Sequence, residues 1–169
     1  VFEDSGGAVY NSGDATYINC VFNGNRSIVG GANAADTGGF GGAMFNLLAT
    51  IDIIGCTFTH NTGTEAGGIY NGPLGVITIV NSIFWENSDN AGTTKNSQYK
   101  GPGTYTETYS CVQNLFTPIA GEDPPNPADF PGCFDTDPGL IDRDGPDNVP
   151  GSFDDNLRPA AGSPCIDAG

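Results

Sequence analysis

The chain has 169 residues and a formal net charge of −15, with 20 carboxylates against 5 lysines and arginines. That balance repels phosphate backbones, so nucleic acid and anionic membrane surfaces are poor partners, and no apolar run approaches the roughly 20 residues of a membrane span. With 26 Gly and 12 Pro long helices are disfavoured, while 37% hydrophobic content is enough for a continuous core; the composition predicts an all-β domain.

In chain order the first feature is a repeated phrase. "GGAVYN" at 6–11 returns as "GGAMFN" at 41–46 and "AGGIYN" at 66–71. A second phrase follows each copy: "YINCVFNGN" at 17–25, "IIGCTFTHN" at 53–61 and "IVNSIFWEN" at 79–87, sharing the pattern [CS]xFxxN. Anchored on its small residue, the series runs Cys20, Cys56, Ser82 and Cys111. Anchored on the aromatic of the first phrase, it runs Tyr10, Phe45, Tyr70 and Tyr99. The two series keep step, which is the signature of a repeat architecture.

A period near 26 residues, made of short β-type segments with Gly/Asn corners, predicts a parallel β-helix in which each strand pairs with its equivalent one coil away. Like residues then stack. Cys20, Cys56 and Ser82 form one expected ladder and Phe22, Phe58 and Phe84 another. Asn25, Asn61 and Asn87 form a third at a corner, where an amide both donates and accepts along the stack. Ile51 with Ile77, and Tyr17 with Ile53 and Ile79, fill the interior. The glycines serve close backbone approach or positive φ, and the Asn of the first phrase closes the bend. Residues 27–40 read as an inserted loop. At the fourth coil Thr106, Thr108, Gln113 and Phe116 take the ladder positions, so the regular stack is expected to end near residue 116.

From Thr117 the texture becomes Pro-, Gly- and Asp-rich, and this segment holds 11 of the 20 carboxylates, more than its share of the length. The expected organisation is coils over 1–116 and an ordered acidic cap over 117–169 packed on the last coils. Residue 1 lies so close to the first repeat that both ends are expected to continue in a longer protein. Within the cap, Asp142, Asp144, Asp147, Asp154 and Asp155 offer the hard oxygen ligands that Ca²⁺ prefers; the alternative is a solvated acidic turn. The EF-hand spacing is not met.

Five cysteines without a CxxC pair do not read as a zinc site. Cys133 and Cys165, both in the cap, are the expected disulfide, with Cys111–Cys133 left open as an alternative. His60 has no nucleophile phrase beside it and reads as a corner residue. Trp85 and Tyr105 are candidate stacking surfaces for a sugar. Arg26, Lys95 and Lys100, the cations of the coils, fall outside the predicted strands.

The alternation of GGA[VM][YF]N with [CS]xFxxN resembles the GGAI and FxxN repeats of polymorphic outer-membrane proteins and related right-handed parallel β-helix proteins. The ending "DTDPGLIDRDGPDNVPGSFDDNLRPAAGSPCIDAG" resembles the DPxFVD…LxPGSPxIDAG ending of large bacterial surface proteins with choice-of-anchor domains. The resemblance implies a right-handed, single-stranded, pectate-lyase-like β-helix of about four coils. It also implies export to the cell surface or extracellular matrix, with an adhesive or structural role. Expected partners are neighbouring coils of a parent protein, further copies of the chain, and glycans. Polysaccharide lyases and hydrolases share the fold, so an enzyme is the rival reading, although the aspartate pair and Arg-Ile-Lys phrase of polygalacturonases are not found. A carbohydrate-binding module without turnover is the third.

Overall fold

The computed structural model describes residues 5–28 and 38–166. Most of the segment read as an inserted loop (29–37), and the last three residues of the SPCIDAG phrase, lie outside the described residues. The first repeat supplies β1 (Val9–Asn11), β2 (Ala15–Ile18), β3 (Val21–Asn23) and β4 (Arg26–Ser27). The second supplies β5 (Met44–Asn46), β6 (Thr50–Ile54), β7 (Thr57–Thr59) and β8 (Thr62–Gly63), and the third β9 (Ile69–Asn71), β10 (Val76–Val80) and β11 (Ile83–Trp85). The short helix α1 (Lys95–Gln98) precedes β12 (Tyr99–Lys100), β13 (Thr104–Thr108) and β14 (Cys111–Val112). A hairpin of β15 (Leu140–Asp142) and β16 (Asn156–Pro159) ends the order.

The strands sort into stacked parallel sheets. Three have four members, ordered β1-β5-β9-β12, β2-β6-β10-β13 and β3-β7-β11-β14, and β4 pairs with β8. Each strand thus pairs with its counterpart in the neighbouring repeat. This is an all-β, β-helix-like parallel fold with almost no helix. Among the described residues no helix is long and apolar enough to cross a membrane.

Alternation along the strands decides what fills the interior. Ile51 and Ile53 face inward from β6, paired in register with Ile77 and Ile79 of β10, and all four are fully buried. Phe22, Phe58 and Phe84 stack with ring centroids 4.4 and 4.6 Å apart. Offset aromatic stacking of this kind adds about 0.5–1.5 kcal/mol per pair beyond the area buried.

The corners carry the polar ladders. Asn11 Nδ2 donates to Asn46 Oδ1 and Asn46 Nδ2 to Asn71 Oδ1, both at 2.9 Å. Asn25 Nδ2 donates to Asn61 Oδ1 at 2.9 Å, Asn61 Nδ2 to Asn87 Oδ1 at 2.8 Å, and Asn87 Nδ2 to Gln98 Oε1 of α1 at 2.8 Å. A third ladder uses small polar side chains. The backbone N–H of Cys20 donates to Cys56 Sγ, that of Cys56 to Ser82 Oγ, that of Ser82 to Ser110 Oγ and that of Ser110 to Cys133 Sγ. The residues just before each member, Asn19, Gly55, Asn81, Tyr109 and Gly132, all have φ between 50° and 69°, so one left-handed corner is repeated five times.

This ladder corrects the register expected for the fourth repeat. Ser110, not Cys111, is the small residue equivalent to Ser82, because the position requires a side chain that accepts the N–H of its neighbour. Cys111 instead pairs with Ile83, one residue along. Tyr99 is likewise displaced: it pairs with Ile69 and points inward at 1% exposure, while Lys100 pairs with Tyr70. The interior positions then fall to Tyr105, Glu107 and Val112 rather than Thr106, Thr108 and Gln113. The stacking also continues past residue 116, since Phe134 forms a parallel bridge with Cys111.

Glu107 stands where Ile53 and Ile79 stand in the repeats before it, and is 5% exposed. Burial raises its pKa, only partly offset by the Tyr99 hydroxyl and by Lys95, whose ammonium lies over the Tyr99 ring. A carboxyl whose folded pKa is raised keeps its full contribution to stability below the unfolded value and loses it as pH rises through the folded one. Glu107→Gln is therefore expected to raise the melting temperature at pH 7 by about 2–4 °C, the equivalent of about 1 kcal/mol in a chain of this size. The gain should vanish near pH 4, which melting curves across pH would check.

Candidate functional site

The side chains with chemical potential gather where the C-terminal segment runs beside the stack. After β7 and β11 the chain turns through His60 (φ 53°) and Glu86 (φ 56°), left-handed positions that non-glycine residues occupy at a cost on the order of 1 kcal/mol. The shared turn sets both side chains on one corner, with His60 Nε2 3.0 Å from Glu86 Oε2. Thr59 Oγ1 lies 2.9 Å from the other ring nitrogen, His60 Nδ1.

From the C-terminal segment Arg143 donates to Glu86 Oε1 at 2.9 Å and to Asp137 Oδ1 at 2.5 Å. The carboxyls are held below their ordinary pKa, that of Glu86 chiefly by its hydrogen bond from His60 and then by Arg143, and that of Asp137 chiefly by Arg143. Arg143 thereby fastens the segment to Glu86 of the third repeat, which in turn faces His60 of the second. Thr59 is fully buried, so its hydroxyl does not meet a substrate.

Further along, the same segment touches the first repeat. Asn23 Nδ2 donates to Asp155 Oδ2, which also accepts the Gly151 N–H at 2.7 Å. Gly24 and Gly151 meet backbone to backbone; a Cβ on Gly24 would lie 2.5 Å from the Gly151 Cα. The segment therefore lies along the stack, in contact with its first repeat as well as its last.

Of the five aspartates read as a calcium set, the structure brings three together: oxygens of Asp147, Asp154 and Asp155 lie within 4.8 Å of one another. Ser152 Oγ sits among them, 3.5 Å from Asp147 and 3.2 Å from Asp155, and donates to Asp154. Three carboxylates and a hydroxyl are the oxygen ligands that Ca²⁺ takes, fewer than the six to eight it takes in full. Asp142 lies in β15, and Asp142 and Asp144 are not part of the group.

The cysteines depart from the expected pairing. All five are free thiols; Cys133 belongs to the small-residue ladder, and Cys165 lies against Cys111 instead. The reason is the register: the residue beside the ladder, not in it, faces the C-terminal segment. Trp85 is 7% exposed, and the Tyr105 hydroxyl is turned inward to Lys100 O and the Asn71 N–H, so neither offers a flat ring to a sugar. Of the coil cations Arg26 and Lys100 differ from expectation by lying on β4 and β12, while Lys95 opens α1, outside the strands.

Glu86, Arg143 and Asp137 were not singled out by sequence reasoning. The two arginines of so acidic a tail, Arg143 and Arg158, were the available signal. Comparisons with protein-family models, with curated proteins and with solved structures gave no match.

Proposed function

We propose that this chain is a non-catalytic structural or adhesive module of an exported protein, displayed at the cell surface or in the extracellular matrix. In this reading it is a right-handed, single-stranded parallel β-helix of about four coils, with residues 117–169 as an acidic strap. It stacks on neighbouring coils of a longer protein or on further copies of itself. The observation that carries the reading is where the titratable groups go: Glu86, Arg143 and Asp137 pair with one another, with His60 against Glu86, in a chain that docks the strap. A site for turnover instead needs convergent groups open to a substrate. The repeated Phe, Asn and Ser/Cys residues are likewise used inside the stack.

The test is incubation of the chain with acidic and neutral polysaccharides, following new reducing ends and unsaturated sugar products over time. Neither is expected to accumulate. Products that increase with enzyme concentration would overturn the proposal in favour of a polysaccharide lyase or hydrolase. Saturable glycan binding without products would favour the carbohydrate-binding alternative.

A further inference from the structure

We propose that Cys111 and Cys165 form an intrachain disulfide that welds the C-terminal segment to the outer face of the β3-β7-β11-β14 sheet. The geometry begins with alternation on β14. Val112 is fully buried in the interior, so the preceding residue, Cys111, projects to the outside, where the C-terminal segment covers it to 2% exposure. Cys165 arrives from beyond β16. The two cysteines line one cleft of about 360 Å³, together with Tyr109, Phe134 and Pro159, close enough that each perturbs the other's ionisation.

Each partner is held in place independently of the other. Cys111 Sγ donates to Thr136 O at 3.3 Å. The Cys165 N–H donates to Ser163 Oγ at 3.0 Å, and that hydroxyl in turn donates to Pro138 O. The other thiols are engaged differently: Cys56 and Cys133 each accept a backbone N–H within the small-residue ladder.

The chemistry runs in a defined order. The neighbouring Cys165 and burial push the Cys111 thiol above its ordinary pKa, and Cys165 is the more exposed of the two. Cys165, the accessible partner, attacks as its thiolate a sulfur of an external disulfide, either glutathione disulfide or the disulfide form of a protein oxidant, and releases one thiolate. Cys111 then attacks Cys165 Sγ of the mixed disulfide, loses its proton to solvent or to the departing thiolate, and expels the second thiolate. The external disulfide gains two electrons and leaves as two thiols; the chain loses two hydrogens.

The experiment uses the full chain, reduced and then equilibrated with glutathione disulfide. The intact mass should fall by about 2 Da. Peptide mapping after alkylation should recover Cys111 linked to Cys165. Closing a loop of about 50 residues should raise the melting temperature by roughly 10 °C over the reduced chain. Cys165→Ala, which removes a half-buried thiol, should melt like the reduced parent with or without oxidant. Cys111→Ser should do the same. An unchanged mass at equilibrium, a link from Cys111 or Cys165 to any other cysteine, or a C165A chain that still melts higher when oxidised would each overturn the proposal.

Discussion

Asn61→Ala is expected to lower the stability of the chain by about 4 kcal/mol, read as a shift in urea midpoint at unchanged slope. The Asn61 side chain is fully buried and makes four hydrogen bonds. Nδ2 donates to Phe22 O and to Asn87 Oδ1, each at 2.8 Å, and Oδ1 accepts from the backbone and side-chain nitrogens of Asn25 at 2.9 Å. Truncation leaves the Asn25 N–H without its acceptor and takes one donor from the Phe22 carbonyl, and a buried unsatisfied group costs about 1–3 kcal/mol. The ladder adds a further loss, because each amide orients the next. Asn25→Ala at the end of the same ladder is the comparison. Asn25 is only partly buried, so water replaces much of what is removed, and a cost of about 1 kcal/mol is expected. Equal costs at the two positions would mean that the ladder is not the cooperative unit described.

The ladder also shows why some of the architecture was legible in the sequence and some was not. A parallel stack writes its register into the chain, since every repeat must present the same side chain at the same corner; FxxN recurs because Phe58 and Asn61 each contact their counterparts above and below. In the fourth repeat residue identity and structural role part company. Cys111 looks like Cys20 and Cys56, yet the corner needs only an acceptor for the neighbouring N–H, and Ser110 Oγ supplies it at 3.1 Å. That single displacement carries the rest: Glu107 moves into the interior, Thr108 out of it, and Cys111 onto the outer face beside Cys165.

The C-terminal segment was less legible for a different reason. Its contacts, such as Arg143 with Glu86 and Asn23 with Asp155, join residues far apart in the chain and recur nowhere, so no period announces them. The acidic cluster was half-visible. Asp spacing alone names five candidates, whereas the turn geometry gathers only Asp147, Asp154 and Asp155 around Ser152.

The glycines of the recurring phrase carry the other large expected effect, and it separates two uses of glycine that sequence alone leaves merged. Gly41 has φ 64° and answers a conformational demand, but Gly42 is not in the left-handed region. Its role is proximity. A Cβ there would lie 2.6 Å from both the carbonyl carbon and oxygen of Thr62 and would overlap the Gly67 carbonyl oxygen, all of them backbone atoms that cannot rotate away. The same backbone is fixed by hydrogen bonds on both sides, Gly42 N–H to Ala66 O at 2.9 Å and Gly7 N–H to Gly42 O at 3.1 Å. Gly42→Ala must therefore push two repeats apart, and the expected cost is about 4 kcal/mol or more, in the range that single substitutions seldom reach. Gly13→Ala is the control, since nothing lies within 4 Å of a Cβ at that position. It should be neutral or stabilise by up to about 1 kcal/mol through the unfolded chain. If thermal melts place the two alanine variants within about 1 kcal/mol of each other, close packing of the corners is not what makes the chain repeat its glycines.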